Sequence, residues 1–385
     1  MVPGLLRTKP AIFGGLLAVG TFESAALVVG FVLIAWAAST AIQNRRIPLW
    51  GVILWAAFAS PFRPIESTIT AGLVLALAVL ADDIRRDWSL NDFVTGLVVG
   101  SAIQVTAAVY TWGEYRPGLY SQNASVLAQT GLMFWLILPE LLPRNRFVPW
   151  AWAAVHLGVS VSRSPLLAAA VLVGTRPNKR MIIAFAGILA VWIFAASSQG
   201  ALDRVMPAQV RQATETRAAI VEAAVTTPVL VPANIRVDAI PEGDGIGPKF
   251  IPGVRTISLG GNRMPLTGYG VGQYINETGL VRPHNVAILL FFEMGYLVLI
   301  PAGLFAWVVW TRRIPLSVAL SLLVLWQFVE EPAARFEGFF TTTAVFVAVY
   351  RHPARELFPP ALRPPRWLAG PAIGLLGRLP GPGAR

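Results

Sequence analysis

The sequence places a histidine directly before a long apolar run, because residues 281–285 are VRPHN and seven apolar residues follow. The chain has only three histidines in 385 residues. A neutral imidazole can take a proton from an attacking hydroxyl near pH 7, so His284 is a candidate general base. Asn285 is a candidate for orienting it or for binding a sugar, and Arg282 for holding a phosphate. The alternative is an interfacial histidine that caps a helix.

A second candidate is Arg163, in the stretch VSVSRSPLLAAAVLVGT at 159–175. Twelve residues separate it from Arg176, and as a helix they rise roughly 18 Å, less than the hydrocarbon layer of about 30 Å. If a helix begins at Ser164 with Pro165 after it, Arg163 lies inside the protein at a helix N-terminus, which favours an anion such as phosphate. The alternative is an arginine that snorkels outward or pairs with a structural carboxylate.

Two further segments offer polar groups for a substrate. Arg116 and Asn123 belong to GEYRPGLYSQN (113–123), which either lines a sugar site or is an ordinary outer loop. Gly268 and Gly270 belong to TGYGVGQY (267–274), where glycines permit close backbone approach, and Tyr274 closes this segment as a candidate binding residue. No strand precedes these glycines and no helix follows at once, so a dinucleotide loop is excluded.

Supporting roles fall to three residues near these segments. Glu293 lies two to three turns beyond His284 and needs a partner if it is buried in a membrane. Ser162 precedes Arg163, and Arg335 lies with three glutamates in EEPAARFEG (330–338). Neither zinc-ligand nor calcium-loop spacing is present, so no metal site and no cofactor are expected.

The composition indicates how these residues are positioned. Hydrophobic residues make up 55% of the chain and charged residues 13%, whereas a soluble domain carries about 25% charge. The mean hydropathy is +0.61, and 181–199 contains 19 uncharged residues. We therefore predict an all-α polytopic membrane protein with about twelve transmembrane helices and one large extracytoplasmic loop.

The predicted spans are separated by charge clusters. They are 11–22, 25–42, 47–60, 65–81, 92–112, 124–143, 147–163, 164–175, 181–199, 285–310, 314–330 and 338–350, and the first two are alternatively one long tilted helix. This gives an N-terminal bundle (1–199), an extracytoplasmic loop with short helices (200–284), C-terminal transmembrane helices (285–350) and a cytoplasmic tail (351–385) expected to be disordered. The net charge of +11 comes from arginines clustered in alternate loops, which indicates cytoplasmic loops and termini rather than nucleic-acid binding.

The motifs occur in a familiar order. PLTGYGVGQY…VRPHNVAILLFFEMG (265–295) resembles the Pro–x–x–Gly–x–Gly, His–Asn and Glu–x–Gly blocks of the O-antigen ligase and polymerase superfamily, bacterial membrane glycosyltransferases. VSVSRSPLLA (159–168) is similar to that family's Ser–Arg–small turn, and GLYSQNASVLA (118–128) to its outer segment. The similarity covers most of 90–310.

The resemblance implies transfer of a glycan from a polyprenyl-diphosphate carrier to an acceptor such as lipid A core, at the outer face of the bacterial inner membrane and without metal. It makes His284 the base and Arg163 a diphosphate ligand. The family's second arginine matches Arg255, with Arg263 or Arg282 as substitutes because the spacing of Arg255 is short. Membrane lipids are then the other expected partners.

Three alternatives stay open at this point. A polymerase would transfer the glycan to another repeat unit instead of lipid A core. A transporter or flippase would only move the lipid-linked glycan, although neither inverted repeats nor paired broken helices are evident. A peptidoglycan glycosyltransferase of the shape–elongation–division type would need a catalytic carboxylate in a long outer loop, and none is evident.

Overall fold

The computed structural model describes residues 8–59, 65–110, 124–141, 147–198, 285–326 and 336–350. These residues form thirteen α-helices, and this part of the chain contains no β-strand. The helices are α1 Lys9–Gly20, α2 Glu23–Asn44, α3 Leu49–Phe58, α4 Ile65–Ile84, α5 Leu90–Tyr110, α6 Ala124–Leu141, α7 Phe147–Val159, α8 Arg163–Thr175, α9 Lys179–Ser198, α10 Val286–Met294, α11 Leu299–Trp310, α12 Leu316–Trp326 and α13 Phe336–Val349. Short 3₁₀ turns cover Arg85–Asp87 and Gly295–Val298.

The predicted all-α class is confirmed, and each predicted apolar segment contains a helix. The first two segments form separate helices, so the alternative of one long tilted helix is wrong. The two helices are separated by Thr21 and Phe22. Thr21 ends α1, because both its amide and its hydroxyl donate to Ala18 O. The predicted segment 147–163 ends early, because α7 stops at Val159.

The predicted segment 285–310 is divided between α10 and α11. Gly295 ends α10 with φ 59°, a value that side chains strongly disfavour, and the 3₁₀ turn then leads into α11. A single glycine inside an apolar run therefore produces a broken helix. This break lets α10 pack independently of the helix that continues from it.

Charged groups join several helices at one end of the bundle, which we call the basic end. Lys9 donates to Asp83 at 2.7 Å, and Asn44 donates to the other oxygen of that carboxylate at 3.0 Å. Arg46 and Arg86 approach Asp82 at 3.8 and 3.9 Å. The start of α1 and the ends of α2 and α4 therefore lie together.

Arg85 joins α13 to the same end. Its guanidinium donates to Tyr350 O at 2.6 Å and to Val347 O, two carbonyls that the end of α13 leaves without helical partners. Its carbon lies 5.2 Å from the Trp88 ring centre and 5.1 Å from that of Tyr350. Arg313 reaches the Tyr350 hydroxyl at 2.9 Å, which brings the start of α12 to the basic end too.

The closest helix pair is α1 and α5, which run parallel. A Cβ built on Gly96 would lie far inside van der Waals contact with Ala11 O, and one on Gly100 would strike Gly15 O. A Cβ built on Gly14 would strike Phe93 O in the same way. Small residues four apart let helix backbones approach this closely, a packing mode common in membrane bundles.

Among the residues that the structure describes, two helices are long and apolar enough to cross a membrane, at Ala25–Asn44 and Lys179–Ser198. Only 33% and 28% of their apolar windows are buried, whereas the core helix of a soluble protein would be mostly buried. Other apolar helices among the described residues are 10–17 residues long. The bundle thus has a packed interior and, on α2 and α9, broad apolar outer faces.

Candidate functional site

The helix directions define a second end, which we call the far end. α6 runs parallel to α8, because Trp135 Nε1 donates to Ala169 O at 3.0 Å and Glu140 lies 3.8 Å from Arg176. Thr130 on α6 donates to Thr21 at the finish of α1. Since α1 starts at the basic end, α6 and α8 both begin at the far end, and so Arg163 lies there.

The start of α10 lies at the far end as well. Met294 packs with Phe58, at the finish of α3, and with Ala71 and Val74 of α4. From there the chain continues through α11 to Arg313 at the basic end. Asn285 is nine residues, or roughly 13 Å of helix, before Met294 and so lies toward the far end.

An unusual turn holds Arg163. After α7, the Ser160 hydroxyl donates to Leu157 O at 3.0 Å and accepts from Ser162 N at 3.3 Å. Val161 has φ 50° and is buried. A β-branched residue in the left-handed region is strained by about 1–3 kcal/mol, and such residues often occur at functional sites.

α8 begins at Arg163 itself, one residue earlier than the predicted Ser164 start. Ser162 occupies the N-cap position with extended backbone, but its side chain makes no capping hydrogen bond. Pro165 stands at the third helical position, where it removes no helical hydrogen bond. The N-cap is therefore Ser162, two residues before the predicted Ser164, and Arg163 belongs to the first helical turn.

The depth of Arg163 follows from its neighbours on α9. Val161 packs against Trp192, Ala195 and Ala196. Because α9 continues to Ser198, this contact lies roughly 3–9 Å before the helix ends. Arg163, partly exposed, thus starts its helix near the level of the last turns of α9.

Asn285 caps α10. Its Oδ1 accepts from Ile288 N at 3.1 Å, so the cap is made by Asn285. Asn285 therefore fills the capping role that the alternative interpretation assigns to His284. Glu293, near the other end of α10, is buried with 1% of its surface exposed.

The far end of the bundle also contains a set of buried polar side chains that the sequence pattern did not single out. The Gln104 side-chain amide donates to the Thr21 hydroxyl oxygen at 2.6 Å, and the Thr130 hydroxyl donates to the same oxygen at 3.3 Å. On α7, His156 Nδ1 lies 2.7 Å from Trp152 O of its own helix.

Three atoms of this buried set have no hydrogen-bond partner among the described residues. They are Gln104 Oε1, Gln129 Nε2 and His156 Nε2. Leaving such an atom unsatisfied costs about 1–3 kcal/mol. The signal available in the sequence was the presence of amide side chains inside apolar segments, which a membrane makes costly.

Most predicted site residues lie outside the described residues. These are His284, Arg116, Asn123, Arg255, Arg263, Gly268, Gly270, Tyr274, Arg282 and Arg335. Arg163 and Asn285 are placed at one end of the bundle, but α8 packs on α6, α9 and α12, whereas α10 packs on α3, α4 and α13. The convergence of Arg163 and His284 in one cavity stays a prediction.

The described part of the chain holds no group of three or more metal-ligating side chains. Comparison with protein-family models, with curated proteins and with solved structures gives no match. Function must therefore be argued from the residues and their geometry. Within the described ranges, the far end offers the guanidinium of Arg163 and the start of α10, which follows His284 in sequence.

Proposed function

We propose that the protein is an O-antigen ligase-like glycosyltransferase of the bacterial inner membrane. It transfers a glycan from a polyprenyl-diphosphate carrier to an acceptor hydroxyl, on lipid A core or a similar molecule, at the outer face. The observation that carries the proposal is that the two helices starting at the arginine motif and at the His–Asn motif, α8 and α10, both begin at the far end of the bundle.

Membrane embedding is supported by the exposed apolar surface. On α2, Val28 and Phe31 are 64% and 52% exposed, and on α9, Ile183 and Phe194 are 62% and 63% exposed. Side chains of this kind on two helices that are also long enough to span a bilayer favour contact with lipid. The proposal counts α10 and α11 as one broken span and so assigns twelve passes to the described helices.

The proposed orientation follows from where the positive charges lie. Lys9, Arg46, Arg85, Arg86 and Arg313 gather at the basic end, and lysine and arginine are enriched in cytoplasmic loops. The far end then faces the periplasm, and both termini are cytoplasmic. A carrier lipid stays in the membrane while its sugar projects into the region above α8 and α10.

The chemistry needs a base and a group that stabilises the leaving diphosphate. His284 takes the proton of the acceptor hydroxyl as its oxygen attacks the anomeric carbon. The bond between that carbon and the diphosphate oxygen breaks, and its electron pair leaves on the polyprenyl diphosphate. Arg163 holds the diphosphate through two parallel hydrogen bonds, a role for which a guanidinium is suited without a metal.

The strained turn supports this role for Arg163. Val161 stays buried in a left-handed conformation because it packs against α9, and the Ser160 hydroxyl bonds both sides of the turn. The first turn of α8 is thus fixed before any ligand arrives. Such preorganisation removes the cost of ordering a cation at the moment of reaction.

The test uses the full chain in vesicles with a polyprenyl-diphosphate-linked glycan and an acceptor. Release of polyprenyl diphosphate on acceptor addition is the readout, together with the glycan-bearing product. His284→Ala should lower the rate by about 10²–10⁴-fold, and Arg163→Lys by roughly 10²-fold, because an ammonium lacks the planar fork.

The matched control is Arg86→Lys, which makes the same change at the exposed basic end, 3.9 Å from Asp82. It should leave transfer unchanged. Full activity in His284→Ala and Arg163→Ala would end the proposal. Movement of the lipid-linked glycan across the membrane without diphosphate release, with a proven acceptor present, would favour a transporter instead.

Ligase and polymerase activities differ only in the acceptor. Lipid A core supplied as acceptor distinguishes them from lipid-linked repeat units in the same vesicles. We propose the ligase and expect product with lipid A core alone. Product only with a second repeat unit would identify the polymerase.

A further inference from the structure

A cavity of about 310 Å³ opens at the basic end, between the end of α6 and the turn joining α8 to α9. It is lined by Pro139, Arg176, Pro177, Asn178 and Met181. Its volume falls at the small end of the range for ligand sites. It is separate from the far end, where the proposed transfer takes place.

Arg176 gives this cavity its chemistry. Its Nη1 is buried and makes no hydrogen bond to a described residue, and Glu140 lies 3.8 Å away, beyond hydrogen-bond length. A buried guanidinium nitrogen with unused hydrogens favours an anionic acceptor, and phosphate matches its fork. Lys179 and Arg180 follow immediately, so positive charge exceeds the single carboxylate of Glu140.

The surface next to the cavity is apolar. Met181, one of the lining residues, is buried, whereas the next two residues of α9, Ile182 and Ile183, are 51% and 62% exposed. The same helix exposes Ile193 and Phe194 further along. A cationic cavity placed beside an exposed apolar helix has the two parts that an anionic lipid needs, one for its phosphate and one for its acyl chains.

We propose that this cavity binds the headgroup phosphate of an anionic phospholipid of the cytoplasmic leaflet, with the acyl chains along α9. The inference rests on the membrane placement given under the proposed function, but it does not depend on transfer activity. Asn178 helps to shape the site, because its side chain accepts from Arg180 N at 2.9 Å and so fixes the start of α9.

The test measures lipid binding to the detergent-solubilised full chain by native mass spectrometry, without any glycan. Short-chain phosphatidylglycerol should bind at least about ten-fold more tightly than phosphatidylcholine of equal chain length. Arg176→Gln should weaken phosphatidylglycerol binding roughly ten-fold, the loss expected for a charge-assisted hydrogen bond. Arg86→Gln, also at the basic end, should leave it unchanged.

Three results would overturn the inference. They are equal binding of the two lipids, unaltered phosphatidylglycerol binding by Arg176→Gln, and displacement of the lipid by inorganic phosphate at equal concentration, which would indicate a free-anion site. Should Arg176→Gln fail to fold, Arg176→Lys decides, since it keeps the charge opposite Glu140 but loses the fork. A several-fold weaker binding is expected, and wild-type binding contradicts the inference. Loss of transfer with intact lipid binding would instead contradict the proposed function at the far end and leave the lipid-binding inference intact.

Discussion

A single methyl group added to the α1–α5 contact should destabilise the bundle. A Cβ at Gly96 meets the backbone of Ala11, with Ala11 C at 2.8 Å and Gly15 N at 2.9 Å in addition to the closer Ala11 O. No rotamer change relieves a clash with backbone, so the two helices must move apart. That movement also loosens the neighbouring contact between Gly100 and Gly15.

The magnitude follows from two opposing effects. Replacing glycine by alanine inside a helix gains about 1 kcal/mol of helix propensity, and overpacking a tight contact costs about 1–3 kcal/mol. Because the obstructing atoms here belong to the backbone, we expect the overpacking cost to exceed the gain in helix propensity by about 1–2 kcal/mol. The folded-to-unfolded ratio of Gly96→Ala should then fall roughly ten-fold.

The chain offers a matched control in Gly187, an exposed helical glycine of α9. A Cβ added there meets nothing within 4 Å. Gly187→Ala should therefore be stabilising by about 0.5–1 kcal/mol, the usual gain of alanine over glycine in a helix.

Apparent melting temperatures in one detergent check the pair, because the ranking of the variants stays useful even where unfolding is irreversible. Gly96→Ala should melt below the wild type and Gly187→Ala at or above it. If Gly96→Ala melts no lower than Gly187→Ala, the close parallel packing of α1 and α5 is wrong.

Three further results are expected. Arg85→Lys should lower the melting temperature, because lysine loses the bonds to two carbonyls at the end of α13, whereas the same change at exposed Arg86 should have little effect. Asp82, just beyond the predicted span 65–81, has its pKa raised by burial, although Arg46 and Arg86 oppose this. Its ionisation therefore costs stability as the pH rises through the folded pKa, so Asp82→Asn should be the more stable near pH 7 and lose this advantage toward pH 4 in melting curves. Arg163→Lys should keep the wild-type melting temperature while transfer in vesicles falls roughly 10²-fold.

The positions of the helices could be predicted from the sequence because their signals are local. Apolar runs interrupted by arginine pairs and prolines place each helix within a few residues, from α1 at Lys9 to α13 at Val349. The break after Met294 was not predicted, although Gly295 inside the run was its signal. The sequence favours one span because Glu293 is the only charged residue in the run 285–310.

Contacts between helices depend on residues far apart in the chain and were not predicted. The approach of Gly96 to Ala11 joins segments 85 residues apart. Its signal in the sequence is the four-residue spacing of Gly96 and Gly100, which is typical of close helix packing. Likewise, Gln104 and Thr21 are ordinary residues in sequence and become a buried hydrogen-bonded pair only after folding. At the candidate site, the start of α8 was placed one residue late, because Ser164 and Pro165 match a common cap pattern that the strained Val161 turn overrides.

The two ends of the bundle differ in a way that bears on where function lies. At the basic end, the buried carboxylate of Asp83 is satisfied by Lys9 and Asn44, whereas Arg176 Nη1 beside the cavity has no hydrogen-bond partner among the described residues. At the far end, Val161 is strained, and His156 and its neighbouring helices keep buried polar atoms without described partners. Stability alone favours a glycine at position 161. Strain of this kind often persists at functional sites, and here the strained turn directly precedes Arg163. The strain at the buried, β-branched Val161 therefore favours the far end as the site of transfer, independently of the His–Asn motif.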